Sequence, residues 1–374
     1  MNALIFADSL IRTGTVLAPT VRLEKFRLAQ KAIDPADVKS GLRPFAAELL
    51  ADGLITMSDY VATLGGHALY HLTQQETGRF VEMSSGEDAA QLAAIYSRAK
   101  FGGVEDIAWL AQRIVEYLSA ELDRADSPWL RLFIEAKEKD DNVAMMTTGW
   151  RNVPSTANVL YEIVVEEINV KLAHMELPTI VNVKLPRIAP PCENYASLSQ
   201  QERDRVNLVQ DHVIPAENFY RWSGVHVIFG DDVLVTGATA DKVLYHSLLS
   251  GAKSFRAIYP VAIDPLVALG DAAVEDRLNG MAITGALDDN VAYVLSASGY
   301  QPILRMLRLL FGEENRQALA DFLPCVPDLV WLKLYRSALG NEFLRQPACR
   351  PSLQLLRGYL AQKGLLAIGS GGVQ

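Results

Sequence analysis

Two adjacent aspartates, Asp231 and Asp232, stand inside the stretch "VHVIFGDDVLVTGATADKVLYHSLLSGAK", which runs from Val225 to Lys253. Neighbouring carboxylates repel, so a chain that sets both at the end of an apolar strand needs a partner for them, either hydroxyl donors or a cation. The residues that follow, Val235, Thr236, Gly237, Ala238 and Thr239, lead into a helical pattern. The first N–H groups of a helix have no intrahelical acceptor and its dipole is positive there, so such a loop welcomes an anion. Gly237 lets the backbone approach that anion or take a positive φ, and Thr236 and Thr239 add hydroxyl donors. A sugar phosphate fits both halves. Its phosphate takes the loop, its vicinal hydroxyls donate to the two acids, and a metal ion on the ligand relieves their repulsion. The plainer alternative is a surface turn followed by an N-cap.

The elements that must hold these residues are legible around them. "NVAMMT" is a short apolar strand, "TTGWRNVPST" a loop, "ANVLYEIVVEEINVKLAHM" a helix and "TIVNVKL" a strand. A long polar segment runs from Pro186 to Gly224, followed by the strand "VHVIF", a helix ending near Gly251 and the strand "FRAIYPVAI". Strands alternating with helices predict an α/β unit with a parallel sheet, whose ligands sit beyond the carboxyl ends of its strands. Residues 1–125 read mainly as helices, including "YVATLGGHALYHLTQQ", which Asp59 would cap and Gly65 and Gly66 weaken. "IYSRAKFGGVED" joins two helices through a Gly-Gly turn and carries Arg98 and Lys100. Beyond residue 299 the pattern is helical again. The expected organisation is a helical region 1–125, an α/β core 126–298 and a helical region 299–374.

"DDVLVTGAT" resembles the 5-phosphoribosyl-1-pyrophosphate (PRPP) motif of the type I phosphoribosyltransferases: an apolar strand, two acids, two apolar residues and a small hydroxyl-rich loop with a glycine. Phe229 and Gly230 depart from the bulky aliphatics usual before the acids. The "DD…VTGA" form is especially similar to phosphoribosyltransferases encoded in bacterial stress and tellurium-resistance clusters. The resemblance covers about residues 140–265. It implies that Asp231 and Asp232 hold the ribose hydroxyls and that Val235, Thr236, Gly237, Ala238 and Thr239 hold the 5-phosphate. It also implies a pyrophosphate loop at Thr148, Gly149, Trp150 and Arg151, with Thr147 beside it. Lys184 and Arg187 would be catalytic cations at the root of a lid spanning Pro190 to about Arg221. Tyr259, Ala262 and Asp264 fall where the family commonly contacts its acceptor. Mg²⁺ would arrive on PRPP near Asp231 and Asp232, and the family likeness suggests a homo-oligomer. The expected activity is displacement of pyrophosphate from PRPP by a nitrogen nucleophile, in nucleotide metabolism. The rival expectation is a non-catalytic regulator, or a defence or stress component, that binds PRPP or a nucleotide on the same fold.

Bulk properties bound the alternatives. A net charge of -9 argues against broad nucleic-acid binding, though it leaves room for a local basic patch. Cys192, Cys325 and Cys349 are too few and too scattered for a disulfide framework or a zinc site, so the expected compartment is the cytoplasm. No run is long enough to span a membrane, and the N-terminus lacks a signal-peptide pattern. His67 and His71 have the spacing for two metal ligands on a helix face, but no third ligand is evident. "KEKDD", Lys137 to Asp141, reads as a solvated helix end; "SRAKF" could line an anion site, although a solvated helix end is the better reading. "PILRMLRLL" is a basic amphipathic patch that could touch nucleic acid or a partner, while its leucine spacing is explained equally well by packing on a core.

Overall fold

The side chains that flank the acid pair sort by parity, as a doubly covered strand requires. Val227 and Phe229 belong to one apolar layer, while Ile228 belongs to another. The computed structural model describes residues 49–63, 66–150, 152–186, 224–237, 239–240, 243–244, 247, 250–271 and 273–366. Among them the expected βα alternation forms a mixed α/β architecture around a mostly parallel sheet of seven strands.

In chain order the elements are α1 (Met57–Thr63), β1 (Gly66–Gln74), β2 (Phe80–Glu82), α2 (Ala90–Lys100), α3 (Val104–Asp123) and α4 (Pro128–Lys139). There follow β3 (Asn142–Trp150), α5 (Thr156–His174), β4 (Ile180–Pro186), β5 (Val225–Gly230), β6 (Val233–Leu234) and β7 (Ser254–Ile263). The remaining helices are α6 (Pro265–Gly270), α7 (Val274–Asn279), α8 (Asp289–Ser296), α9 (Leu304–Phe311), α10 (Leu319–Phe322), α11 (Asp328–Gly340) and α12 (Arg350–Gln362). The strand order is β2-β1-β7-β5-β3-β4, with β6 also on β7. Among the described strands only the β1–β2 pair is antiparallel. Helices α3, α4 and α5 cover one face, packing on Met145, Ile228 and Ile258. The other face carries α1 and the residues around Ala240 and Val243.

Two expectations need correction. "YVATLGGHALYHLTQQ" is not one helix: α1 stops at Thr63 and β1 starts at Gly66. Residues four apart share a face in a strand as well as in a helix, so Ala68 and Leu72, both buried, mimic a helical stripe. Gly66 has a reason to be glycine, because a Cβ there would meet the Tyr259 ring at 2.9 Å. The sheet therefore draws strands from both sides of residue 125. Second, Thr147–Trp150 are not loop but the end of β3, with a register shift between Thr147 and Trp150. The acids follow the end of the apolar strand β5, as expected, and a short strand resumes after them: Gly230 pairs with Ile258 and Val233 with Val261, so β5 and β6 run along β7 in a single register with Asp231 and Asp232 between them.

Residues beyond 299 pack as helices around Trp331, Leu307, Leu334 and Phe343. That core also takes in Phe101 and Val153, which ties the C-terminal helices to the α2–α3 turn and to the entry of α5. The expected lid, Pro190 to Arg221, lies outside the described residues. No described helix is long and apolar enough to cross a membrane.

Candidate functional site

Gly230 lies under the ring of Tyr161; a Cβ at this position would come within 2.6 Å of two ring carbons. The departure from bulky aliphatics before the acids is thus a packing requirement. The Tyr161 hydroxyl lies 2.5 Å from the Ile258 carbonyl oxygen and 3.2 Å from that of Asp231. It pins the break between β5 and β6, and so fixes where both acid side chains emerge.

The acids emerge into a cavity of about 220 Å³ at the carboxyl ends of β3 and β5. Asp231 is half-buried and Asp232 buried. The Lys100 Nζ lies 2.5 Å from the Asp232 carboxylate, and the Tyr96 hydroxyl donates to the same oxygen at 3.3 Å. The backbone N–H of Asp232 donates to the Asp231 carboxylate at 3.0 Å. Burial and the charge of Asp232 push Asp231 well above the usual carboxylate range, against the pull of Lys100. Burial also pushes Asp232 up, but the charge and hydrogen bond of Lys100 outweigh it and hold this carboxyl below its ordinary value. The pair therefore divides: Asp232 is the anion, and Asp231 keeps a proton more readily than a free aspartate.

Two glycine-bearing segments face the acids, the loop after β6 and the end of β3. Gly237 has φ +74° and Gly149 φ +85°, so both sit in the left-handed region that other residues rarely enter. Val235, Thr236, Gly237 and Thr239 line the cavity on one side, and Gly149, Ser155 and Thr156 line it on another. Ser155 caps α5. Its Oγ accepts from the Asn158 N–H at 3.2 Å, and the Asn158 side chain accepts from the Ser155 N–H at 2.8 Å. The Asn158 amide also donates to Thr147 Oγ1 at 2.8 Å, which couples the cap to β3. Thr156 Oγ1 donates to the carbonyls of Ala99 and Lys100, each at 3.3 Å, which couples it to the end of α2. The positive end of a 19-residue helix is thus aimed at the cavity beside Lys100.

The remaining wall comes from α7 and α9: Glu275, Ile303, Leu304, Arg305 and Arg308. Met306, Leu307, Leu310 and Phe311 of α9 are buried in the C-terminal core, which turns Arg305 and Arg308 toward the cavity. Arg305 also stacks over Phe101, 5.9 Å from its ring centre.

Of the residues expected from the sequence, Asp231, Asp232, Val235, Thr236, Gly237, Thr239 and Gly149 converge on this cavity, together with Tyr259. Arg151, Arg187 and Ala238 lie outside the described residues. Lys184 points elsewhere, 2.8 Å from Glu162 of α5 and over the Trp150 ring. Thr147 is buried under the α5 cap, and Thr148 contributes backbone to the end of β3. Asp264 caps α6, accepting from Leu266 N–H at 2.9 Å and Thr73 Oγ1 at 2.8 Å, and Ala262 is buried in the sheet against Leu234. "SRAKF" is no solvated helix end: Lys100 faces the acids, and Arg98 holds the buried Asp106 through a two-nitrogen pair. Asp141 of "KEKDD" is likewise buried, 3.4 Å from His226 Nε2. His67 and His71 lie on β1; His67 stacks on Tyr117 at 4.0 Å. Among the described residues no group of three His, Cys, Asp or Glu could hold a metal ion.

The site residues missed by sequence reasoning are Tyr96, Glu275, Arg305 and Arg308, with Lys100 set aside. The amphipathic spacing of "PILRMLRLL" was the available signal, since it leaves both arginines on the face opposite the leucines. No family model matches this chain, and no curated protein or solved structure matches it.

Proposed function

We propose that this protein binds PRPP in the cavity at Asp231 and Asp232 and transfers its phosphoribosyl group to a nitrogen nucleophile, with pyrophosphate leaving. The observation that carries this reading is the convergence of an adjacent acid pair with two positive-φ glycines, Gly237 and Gly149, on one cavity. The 5-phosphate takes the Val235–Thr239 loop, where backbone N–H groups and the Thr236 and Thr239 hydroxyls can donate. The ribose hydroxyls meet Asp231 and Asp232. As the C1–oxygen bond breaks, positive charge develops on the ribose ring, and the Asp232 carboxylate stabilises it electrostatically. Positioning supplies much of the rest, because both glycine-bearing segments are anchored on strand ends and a capped helix. The two adjacent carboxylates are hard oxygen donors that suit Mg²⁺ arriving on the pyrophosphate, where it would neutralise leaving-group charge.

The test is titration calorimetry with PRPP, ribose 5-phosphate and nucleoside monophosphates, with and without Mg²⁺, followed by isotope tracing of PRPP consumption and pyrophosphate release in a metabolite pool. Mg²⁺-dependent PRPP binding and pyrophosphate release are expected; no binding to any of these ligands overturns the proposal. One observation favours a second reading. Lys184, the expected lid cation, is engaged by Glu162. A regulator that senses PRPP without turning it over needs no such cation. PRPP binding with no pyrophosphate release for any acceptor would select that reading.

A further inference from the structure

The positively charged side chains of the cavity all come from outside the PRPP-motif stretch. They are Lys100, Arg305 and Arg308, against the carboxyls of Asp231, Asp232 and Glu275. Asp232 is matched by Lys100 at 2.5 Å. Arg305 and Arg308 are the further cations on this lining. Their position is set by the fold. Arg305 lies against Phe101, directly after Lys100, and Thr156 ties Lys100 to the α5 N-terminus. Gly149, the α5 N-terminus, Lys100 and α9 therefore line one connected wall, distinct from the Thr236–Thr239 loop. That wall is built for a second anionic group on the same ligand.

We infer that the pyrophosphate of the sugar donor is gripped from the two helical flanks, by Arg305 and Arg308 of α9 together with Lys100 of α2. The inference rests on the reading of the cavity as a PRPP site and specifies how that site takes its leaving group. Arginine suits the role because its planar fork can donate two parallel hydrogen bonds to a phosphate.

The experiment uses the full-length protein and three probes with Mg²⁺: PRPP, ribose 5-phosphate and inorganic pyrophosphate. The variants are Arg305→Gln, Arg308→Gln and their combination, with Arg305→Lys/Arg308→Lys as a charge-preserving control. Lys100 is not the probe, since removing it strands the buried Asp232. Each arginine lost should weaken PRPP and pyrophosphate about tenfold, the scale of one charged hydrogen bond, and leave ribose 5-phosphate within about twofold. The lysine control should recover part of the loss, and thermal unfolding should match wild type. Equal weakening of PRPP and ribose 5-phosphate, or no weakening of either, overturns the inference. If wild type binds pyrophosphate through these arginines but neither sugar phosphate, the anion grip stands and the PRPP reading fails. If wild type binds none of the three, both fall.

Discussion

Asp231 and Asp232 are one residue apart and should respond to the same substitution with opposite sign. Asp232 is held by Lys100, so Asp232→Asn leaves a buried ammonium without its anion and should cost about 3 kcal/mol. Asp231→Asn removes a carboxyl that burial and a like charge disfavour, so it should leave stability unchanged or raise it. Urea unfolding at neutral pH measures both, and equal losses would refute the division of the pair. The pH dependence separates them further. The Asp232 pKa lies below its ordinary value, so its contribution is present above the ordinary carboxylate range and is lost as pH falls through the lowered value. The Asp231 pKa is raised, so its contribution is present below the ordinary range and is lost as pH rises toward the raised value. Asp232→Asn should therefore flatten the acid limb of the stability profile, and Asp231→Asn the limb above it. Gly230→Ala offers a simpler test: the added methyl meets the Tyr161 ring and should cost about 1–3 kcal/mol, read in the same unfolding assay. The acids and the positive-φ Gly237 were legible in the sequence because one short stretch carries them. The pairing of Lys100 with Asp232 was not, because the two are 132 residues apart and nothing local marks the pair.

At the scale of elements, what could be read followed from local periodicity. The strands β3, β4, β5 and β7 and the helix α5 were visible as apolar runs bounded by breakers. β1 was not, since a strand with buried residues four apart carries the same short-range signal as a helix, and only its pairing with β7 decides. β1 also has an acid-sensitive point. Burial, with the charge of His71 adding to it, lowers His67 to about 4, and its ring stacks on Tyr117 of α3. A histidine whose folded pKa is lowered favours folding when neutral, so its contribution is lost as pH falls from the ordinary value of 6.5 toward 4. His67→Phe keeps the stacking and removes the proton site. It should flatten stability between those values in thermal melts, and an unchanged acid limb would show that His67 does not report on β1. The α5 cap is the other element with a job at the site. Ser155→Ala should lower stability by about 1 kcal/mol and loosen the end of β3, because Asn158 joins the two.

For the whole molecule, the flanks are parts of the site rather than additions to it. α2 lies N-terminal to the stretch that carries the phosphoribosyltransferase likeness and α9 lies C-terminal to it, yet both line the cavity. This could not be read from the sequence, because the C-terminal core that turns Arg305 inward is assembled from residues between Phe101 and Leu360. A ligand held only by the motif would stabilise β5, β6 and the loop that follows. A ligand held as inferred bridges three regions distant in sequence. Hydrogen exchange with and without saturating PRPP and Mg²⁺ distinguishes these cases. Amides that exchange only when the site opens should slow roughly a hundredfold at a ligand concentration a hundred times Kd. That protection should be found together at the end of α2, the first turn of α5, residues 231–237 and the first turn of α9, and should be absent from α12, which contributes no residue to the cavity lining. Protection confined to residues 225–240 would return the flanks to a purely structural role. Protection at α9 that disappears in the Arg305→Gln/Arg308→Gln protein, while residues 231–237 stay protected, would assign the α9 contact to those two side chains.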